Sequence, residues 1–199
     1  MAELLLPYAA NSPQTLAVAD EFGSTDWKNF NERVNQLIHA LRGQGLKTGD
    51  AFSVLSGNRR EYVEAFAAAA HGGWLLVPIN WHLVASEISY ILENSASKAF
   101  LIDSRFYELG MQTISLENAP NISPIVVMGD PERDISTQHR NIFTYEEFLS
   151  EEKSHEPENQ SLGGPMFYTS GTTGHPKGVK SARSQTGSPV GTLKMIGDG

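Results

Sequence analysis

Apolar residues recur at intervals of three and four along the stretch from Asp26 to Arg42. They are Phe30, Val34, Leu37, Ile38 and Leu41. This period places them on one face of an α-helix. The helix could end at Gly43 or Gly45, and three residues near its start could accept a backbone N–H as the N-cap. These candidates are Ser24, Thr25 and Asp26. The pattern therefore predicts an amphipathic helix early in the chain.

Short apolar runs alternate with helical patterns after this helix. The predicted strands are "AFSVLS", "WLLVPIN", "KAFLID" and "SPIVVMGD". The segments between them that predict helices are "RREYVEAFAAAAH", "SEISYILENS" opened by Ser86, and residues 104–116. "TYEEFLSEE" begins with Thr144 and Glu147 at capping-box spacing, which predicts a further helix. Near-continuous apolar strands that alternate with helices are typical of a parallel sheet covered by helices, so we expect an α/β fold.

Composition argues against several classes of protein. The net charge of -8 at pH 7 disfavours a general nucleic-acid binder, which needs a basic surface to displace counterions. Without cysteine the chain can form no disulfide and no thiolate metal site, which suits a reducing cytoplasm. The apolar region "AFAAAAHGGWLLVPI" is interrupted by His71 and falls short of the roughly 18 residues of a membrane span. The start shows no basic leader, so we expect a cytoplasmic protein without a transmembrane segment.

The segment "YTSGTTGHPKGVK", residues 168–180, combines glycines, hydroxyl side chains and two lysines. Glycine lets backbone N–H groups approach an anion closely, and Lys177 adds a mobile positive charge, so the segment could hold a polyphosphate. It is not a P-loop, because Pro176 precedes the lysine and Gly178 follows it, and it contains no G-x-G-x-x-G motif. A flexible hairpin is the alternative. "PMFYTS" before the loop and "GVK" after it predict two flanking strands.

This segment resembles the phosphate-binding signature of the adenylate-forming enzymes, which include acyl-CoA synthetases, luciferases and peptide-synthetase adenylation domains. The similarity continues upstream through "ERVNQLIHALRGQGLKTGD", "VLSGN" and "VPINWHLVASEISYILENSASKAFLID". It covers most of residues 16–180, and the last of these stretches is most similar to fatty-acyl-CoA ligases. The resemblance implies the large N-terminal domain of the acyl-CoA synthetase fold, present here in part.

The resemblance also implies a set of residues that bind ATP. Lys177 would be the catalytic residue and would help hold the β- and γ-phosphates until pyrophosphate leaves, while Gly178 would shape the loop. His175 lies inside the motif and is interpreted as a variable position, and no residue is assigned to a metal. The residues implied to surround the phosphates are Thr169, Ser170, Gly171, Thr172, Thr173 and Gly174.

In the implied reaction, a carboxylate oxygen attacks the α-phosphate of ATP with the assistance of Mg2+, giving an acyl-adenylate and pyrophosphate. A thiol, usually that of coenzyme A, then takes the acyl group. Such transfer depends on positioning and charge neutralisation more than on a protein nucleophile. The motif and the upstream resemblance therefore lead to the hypothesis that the chain is the N-terminal part of an ATP-dependent ligase that joins a fatty acid or a related small carboxylic acid to coenzyme A.

Later motifs of the family, which supply the adenine pocket, an acidic magnesium-linked residue and a second lysine, cannot be placed in this sequence. We therefore expect a truncated domain, with an α/β subdomain over residues 1–160 and a phosphate-binding segment over residues 161–199. Such a fragment is expected to be inactive alone, and the surface that truncation leaves open could produce a homo-oligomer. Two alternatives stay open: a stand-alone module that binds nucleotide phosphates or an acyl ligand without catalysis, and a purely structural fragment.

Overall fold

The computed structural model of the chain describes residues 2–131, 135, 141–169 and 176–180. Its helices are α1 (Ala2–Asn11), α2 (Trp27–Gly43), α3 (Arg60–Gly72), α4 (Ala85–Asn94), α5 (Tyr107–Ile114) and α6 (Tyr145–Ser150). Its strands are β1 (Leu16–Asp20), β2 (Gly23–Asp26), β3 (Ala51–Leu55), β4 (Leu75–Ile79), β5 (Ser97–Asp103), β6 (Ile125–Met128), β7 (Ile142–Thr144), β8 (Gly164–Thr169) and β9 (Lys177–Lys180). A short 3-10 helix, Ser104–Phe106, leads into α5.

Among the described residues, seven strands form one sheet in the order β7-β6-β5-β3-β4-β8-β9. All neighbours from β7 to β8 are parallel, whereas β8 and β9 are antiparallel. β1 and β2 form a separate antiparallel pair. The chain passes from β3 to its neighbour β4 and then crosses to β5 on the other side of β3. The strand order therefore reverses between β3 and β5, and the predicted α/β fold with a largely parallel sheet is confirmed.

Helices cover both faces of this sheet because its strands are apolar on both sides. Leu101 of β5 packs with buried residues of α2, α3 and α6, whereas its neighbours Phe100 and Ile102 pack with residues of α4 and α5. All three side chains are fully buried. Burial of each such side chain contributes about 1.5–3 kcal/mol to the stability of the fold. The alternation of side chains along the strand therefore determines which helices pack on which face.

The start of α2 confirms one of the predicted caps. The Asp26 carboxylate accepts the Asn29 N–H at 2.8 Å, and Gly45, with a φ of 91°, turns the chain away after the helix. α6 opens with the predicted capping box, in which Thr144 Oγ1 accepts the Glu147 N–H at 3.2 Å and Glu147 accepts the Thr144 N–H at 3.0 Å. These side chains satisfy amide donors that have no partner within the helix.

Ser86 does not open α4, so that prediction is wrong. The helix begins at Ala85, and Val84 is its N-cap residue. The Glu87 carboxylate reaches back and accepts the Val84 N–H at 3.1 Å. A glutamate at the third helical position therefore satisfies the exposed amide, and no hydroxyl at the N-cap is needed.

The stretch that leads into β8 is held against α2 by polar contacts. Asn31 Nδ2 donates to Glu156 Oε1 at 2.7 Å, and Asn35 Nδ2 donates to the Ser154 carbonyl at 3.0 Å. Arg42 Nη1 donates to a further backbone carbonyl, that of Glu158, at 2.7 Å. β8 then joins the sheet beside β4, with Gly164 opposite Leu75. The segment therefore delivers β8 to a fixed place in the sheet.

Candidate functional site

Two strands meet at the segment that the sequence predicts to bind phosphate. β8 and β9 pair with Thr169 opposite Lys177 and Tyr168 opposite Gly178. Thr169 ends β8 and Lys177 begins β9, so these two residues lie side by side at the end of the hairpin where residues 170–176 connect the strands, here called its mouth. The other residues of the predicted set lie outside the described residues, as does His175; they are Ser170, Gly171, Thr172, Thr173 and Gly174.

The side chains of this hairpin divide between two faces. Residues directly opposite each other in an antiparallel pair share a face, and successive residues alternate. Thr169 and Lys177 therefore share a face with Phe167 and Val179, which are 51% and 52% exposed. Lys177 is exposed and makes no ion pair with any residue in the described part of the chain. Its ammonium group is therefore available to bind an anion at the mouth of the hairpin.

The opposite face of the hairpin carries Tyr168, whose ring lies against the backbone of Gly178. A Cβ at position 178 would come within 3.1 Å of Tyr168 Cζ, so a larger residue there would displace the ring. The Tyr168 hydroxyl donates to Asn94 Oδ1 at 2.7 Å. Burial raises the pKa of Tyr168, and the nearby Tyr90 raises it further, so the hydroxyl keeps its proton at neutral pH. Gly178 thus allows β9 to pass close to a tyrosine that anchors β8.

Helix α4 contacts the hairpin at a second point. The Tyr90 hydroxyl donates to the carbonyl of Pro176 at 3.2 Å, and Pro176 is the residue before Lys177. The resemblance and the motifs in the sequence imply no role for Tyr90 or Asn94. One signal could have suggested them, because two residues four positions apart in a predicted helix share a face and could contact the same neighbour.

Two polar cavities, of about 820 and 710 Å³, lie elsewhere in the structure. The first lies between α2, α3 and α6 and includes Arg33 and Glu64. The second lies at the carboxyl ends of β5, β6 and β7 and includes Arg59 and Arg105. Open α/β sheets bind ligands outside the carboxyl ends of their strands, near the point where the strand order reverses. The second cavity is therefore an alternative candidate for the binding site.

The charged groups at this second cavity already neutralise one another. Asp103, fully buried at the end of β5, lies 2.7 Å from Arg105 Nη2 and 3.7 Å from Arg59 Nη1. Arg59 also donates to Glu61 at 2.9 Å and stacks over the Phe22 ring, with its guanidinium carbon 4.3 Å from the ring centre. Burial alone would raise the pKa of Asp103, but hydrogen bonds and positive charge from Arg105, with Arg59, hold that pKa below its usual value. This cluster is therefore built to stabilise the fold.

A second network links three helices at the first cavity. Arg33 Nε donates to Glu64 at 2.8 Å, and its two terminal nitrogens donate to Glu146 at 2.9 and 2.8 Å. The Tyr145 hydroxyl donates to the other oxygen of Glu64, at 2.8 Å. Burial raises the pKa of Glu64 above its usual value even though Arg33 and Tyr145 act to lower it. These contacts join α2, α3 and α6, and they pair Arg33 of this cavity with two carboxylates.

Neither a metal centre nor a membrane span is present in the parts of the chain that the structure describes. No three His, Asp or Glu residues in those parts come together as a possible ligand set. No helix there combines the length and the apolar character needed to cross a bilayer.

Comparison with known proteins shows the family. Residues 7–191 match the family described as AMP-binding enzyme. The chain is 30% identical over 181 residues to the fatty acid–[acyl-carrier-protein] ligase ScoC of Streptomyces coeruleorubidus, a match that covers 86% of this chain and 31% of that protein. It is 32% identical over 183 residues to the long-chain-fatty-acid–CoA ligase FadD13 of Mycobacterium tuberculosis, covering 88% of this chain and 33% of that protein.

A solved structure shows the same fold. The chain matches the anthranilate CoA ligase AuaEII, crystallised in complex with anthranoyl-AMP, with a TM-score of 0.75 and 22% identity. The match covers 89% of this chain and 33% of that structure. The chain thus spans about a third of the length of the relatives that it matches. It belongs to the AMP-binding enzyme family and corresponds to the N-terminal part of the acyl-CoA ligases in that family.

Proposed function

We propose that the chain is the N-terminal part of an ATP-dependent carboxylate–CoA ligase and that it contributes the phosphate-binding hairpin. A fatty acid is the proposed carboxylate substrate, since relatives named as fatty-acid ligases match most of the chain. The observation that carries the proposal is the direct pairing of Thr169 with Lys177. Lys177 makes no ion pair among the described residues. It directly follows, in the sequence, the hydroxyl- and glycine-rich segment that connects the two strands.

Each proposed site residue has a distinct role. Lys177 supplies the positive charge that holds the β- and γ-phosphates while pyrophosphate leaves, and Gly178 keeps the start of β9 close to Tyr168. Thr169 contributes from the end of β8. The proposed phosphate-binding loop between the strands consists of Ser170, Gly171, Thr172, Thr173 and Gly174, whose hydroxyls and backbone amides would surround the phosphates.

The remaining parts of the reaction are proposed for the longer enzyme. Mg2+ would neutralise phosphate charge and coenzyme A would accept the acyl group, but we assign neither to residues of the described part. Residues 1–160 are proposed as the supporting α/β subdomain and residues 161–199 as the phosphate-binding segment. We propose a cytoplasmic location. The exposed Phe167 and Val179 would be buried by the rest of the enzyme or by a second copy of the chain.

A stand-alone module that binds nucleotide phosphates without catalysis is the second candidate function. Lys177, which is exposed and makes no ion pair within the described part of the chain, supports it. A phosphate site at the hairpin does not itself require the other two thirds of the relatives. The two candidates differ in whether an acyl-adenylate forms, and they share the prediction that this chain binds pyrophosphate.

Lys177→Ala is expected to weaken pyrophosphate binding by the 199-residue chain roughly 10- to 100-fold, because a hydrogen bond to a charged group contributes about 1.5–3 kcal/mol. Isothermal titration calorimetry measures the dissociation constant. Lys98→Ala is the matched control, since Lys98 is also an exposed strand lysine but lies near the amino end of β5. The control should bind as the parent chain does. Unchanged affinity in Lys177→Ala, or an equal loss in both variants, would refute the phosphate site.

A further inference from the structure

Two tyrosine hydroxyls join helix α4 to β8 and to the residue before β9. From the helix, Tyr90 donates to the Pro176 carbonyl at 3.2 Å. From β8, Tyr168 donates to Asn94 at 2.7 Å. Tyr90 and Asn94 lie one helical turn apart and therefore on the same face of α4. A single helix face thus contacts β8 and Pro176, the residue that precedes β9.

Helix α4 is itself firmly placed in the fold. Ile88 and Leu92 are fully buried in the apolar cluster between α4, α5 and the sheet, and Ile91 is nearly so. Tyr90 is half-buried beside them. A side chain that projects from a helix fixed by core packing is a more rigid support than one on a surface loop.

The contact made by Tyr90 bears directly on Lys177. The Pro176 carbonyl belongs to the peptide bond that joins Pro176 to Lys177. The proline ring restricts φ at this residue and has no N–H of its own to donate. A hydrogen bond to its carbonyl oxygen therefore limits rotation of the peptide unit from which the lysine side chain extends.

We propose that Tyr90 is a positioning residue for Lys177: its hydroxyl holds the Pro176–Lys177 peptide so that the ammonium group is presented at the mouth of the hairpin before phosphate binds. This inference rests on the proposed function, because it concerns how the same site is prepared. Preorganisation of this kind raises affinity by reducing the freedom that is lost on binding. Tyr168 acts differently, because its contact with Asn94 fixes β8 and not the peptide that carries the lysine.

Tyr90→Phe tests the inference, because it removes the hydroxyl and keeps the ring that packs against the apolar cluster between α4, α5 and the sheet. Hydrogen–deuterium exchange of the ligand-free 199-residue chain is expected to become roughly fivefold faster at residues 177–180, in line with the loss of one hydrogen bond. Pyrophosphate affinity is expected to fall roughly threefold. Tyr8→Phe is the matched control, since Tyr8 is an exposed tyrosine on α1 whose ring stacks on Trp27, away from the hairpin.

The outcomes separate this inference from the proposed function. The positioning role is supported if Tyr90→Phe exchanges faster at residues 177–180 and binds pyrophosphate more weakly. Its thermal unfolding midpoint should equal that of Tyr8→Phe. Unchanged exchange at residues 177–180 overturns it, and so does unchanged pyrophosphate affinity when Lys177→Ala binds weakly. If Lys177→Ala binds as the parent chain does, the proposed function fails, and the exchange rates still decide whether Tyr90 restrains the peptide.

Discussion

The 199-residue chain alone is expected to show no carboxylate-dependent exchange of labelled pyrophosphate into ATP. Exchange requires the reversible formation of an acyl-adenylate, in which a carboxylate oxygen bonds to the α-phosphate as the bond to the β-phosphate breaks. Holding the two reactants in a near-attack geometry can lower the activation barrier by about 7–11 kcal/mol. We propose that the hairpin holds the terminal phosphates and that the groups that orient the carboxylate and the adenine lie in the other two thirds of the enzyme.

The assay needs a positive and a negative control. A complete long-chain-fatty-acid–CoA ligase, assayed with the same fatty acid, shows that the conditions allow exchange. The chain should give the same background counts with and without the acid, even at concentrations at which it binds pyrophosphate. Robust exchange that disappears in Lys177→Ala would show that the chain contains a complete adenylation site.

Arg59→Ala is expected to lower the free energy of unfolding by about 3–5 kcal/mol, the usual cost of leaving a buried charge without its partner. The Arg59 side chain is only 5% exposed, and it contacts Glu61 at 2.9 Å and approaches the fully buried Asp103 to 3.7 Å. Its removal would leave both carboxylates with less positive charge at the carboxyl end of the sheet. Urea unfolding, followed by tryptophan fluorescence, measures the change.

Lys28→Ala is the control for this substitution. Lys28 also pairs with a carboxylate, that of Glu32 at 4.0 Å, but its side chain is 63% exposed. Exposed pairs contribute about 0–1 kcal/mol, so this variant should unfold close to the parent chain. A comparable and small effect of both substitutions would contradict the structural role given to the Arg59 cluster. It would reopen the cavity beside Arg59 as a candidate binding site.

The fold was largely predictable where the sequence pattern was long. The apolar face of α2, with Phe30 and Leu37 inside, gives a clear helical period, and the buried strands β3, β4 and β5 are largely apolar runs. Shorter or more exposed elements gave no such signal. β7 has only three residues, and Leu16 of β1 is 63% exposed, so neither strand follows a pattern that the sequence analysis recognised.

The site was predictable only in part, for a physical reason. The strands that flank the loop follow from local sequence, and the structure confirms both of them. The contacts that support the hairpin join residues far apart in the chain: 86 positions separate Tyr90 from Pro176, and 74 separate Asn94 from Tyr168. Helical spacing shows that Tyr90 and Asn94 share a face, but the partner of that face depends on how the sheet places β8 next to β4.

The location of the phosphate site can be measured directly by titrating the 15N-labelled chain with pyrophosphate and following its assigned amide signals by NMR. We predict that the changes concentrate at Thr169, Lys177 and Gly178, at the mouth of the β8–β9 hairpin, while the signals of Arg59 and Arg105 stay in place. Changes that concentrate at those two arginines, with the hairpin signals unmoved, would contradict the proposal and move the site to the reversal point of the sheet.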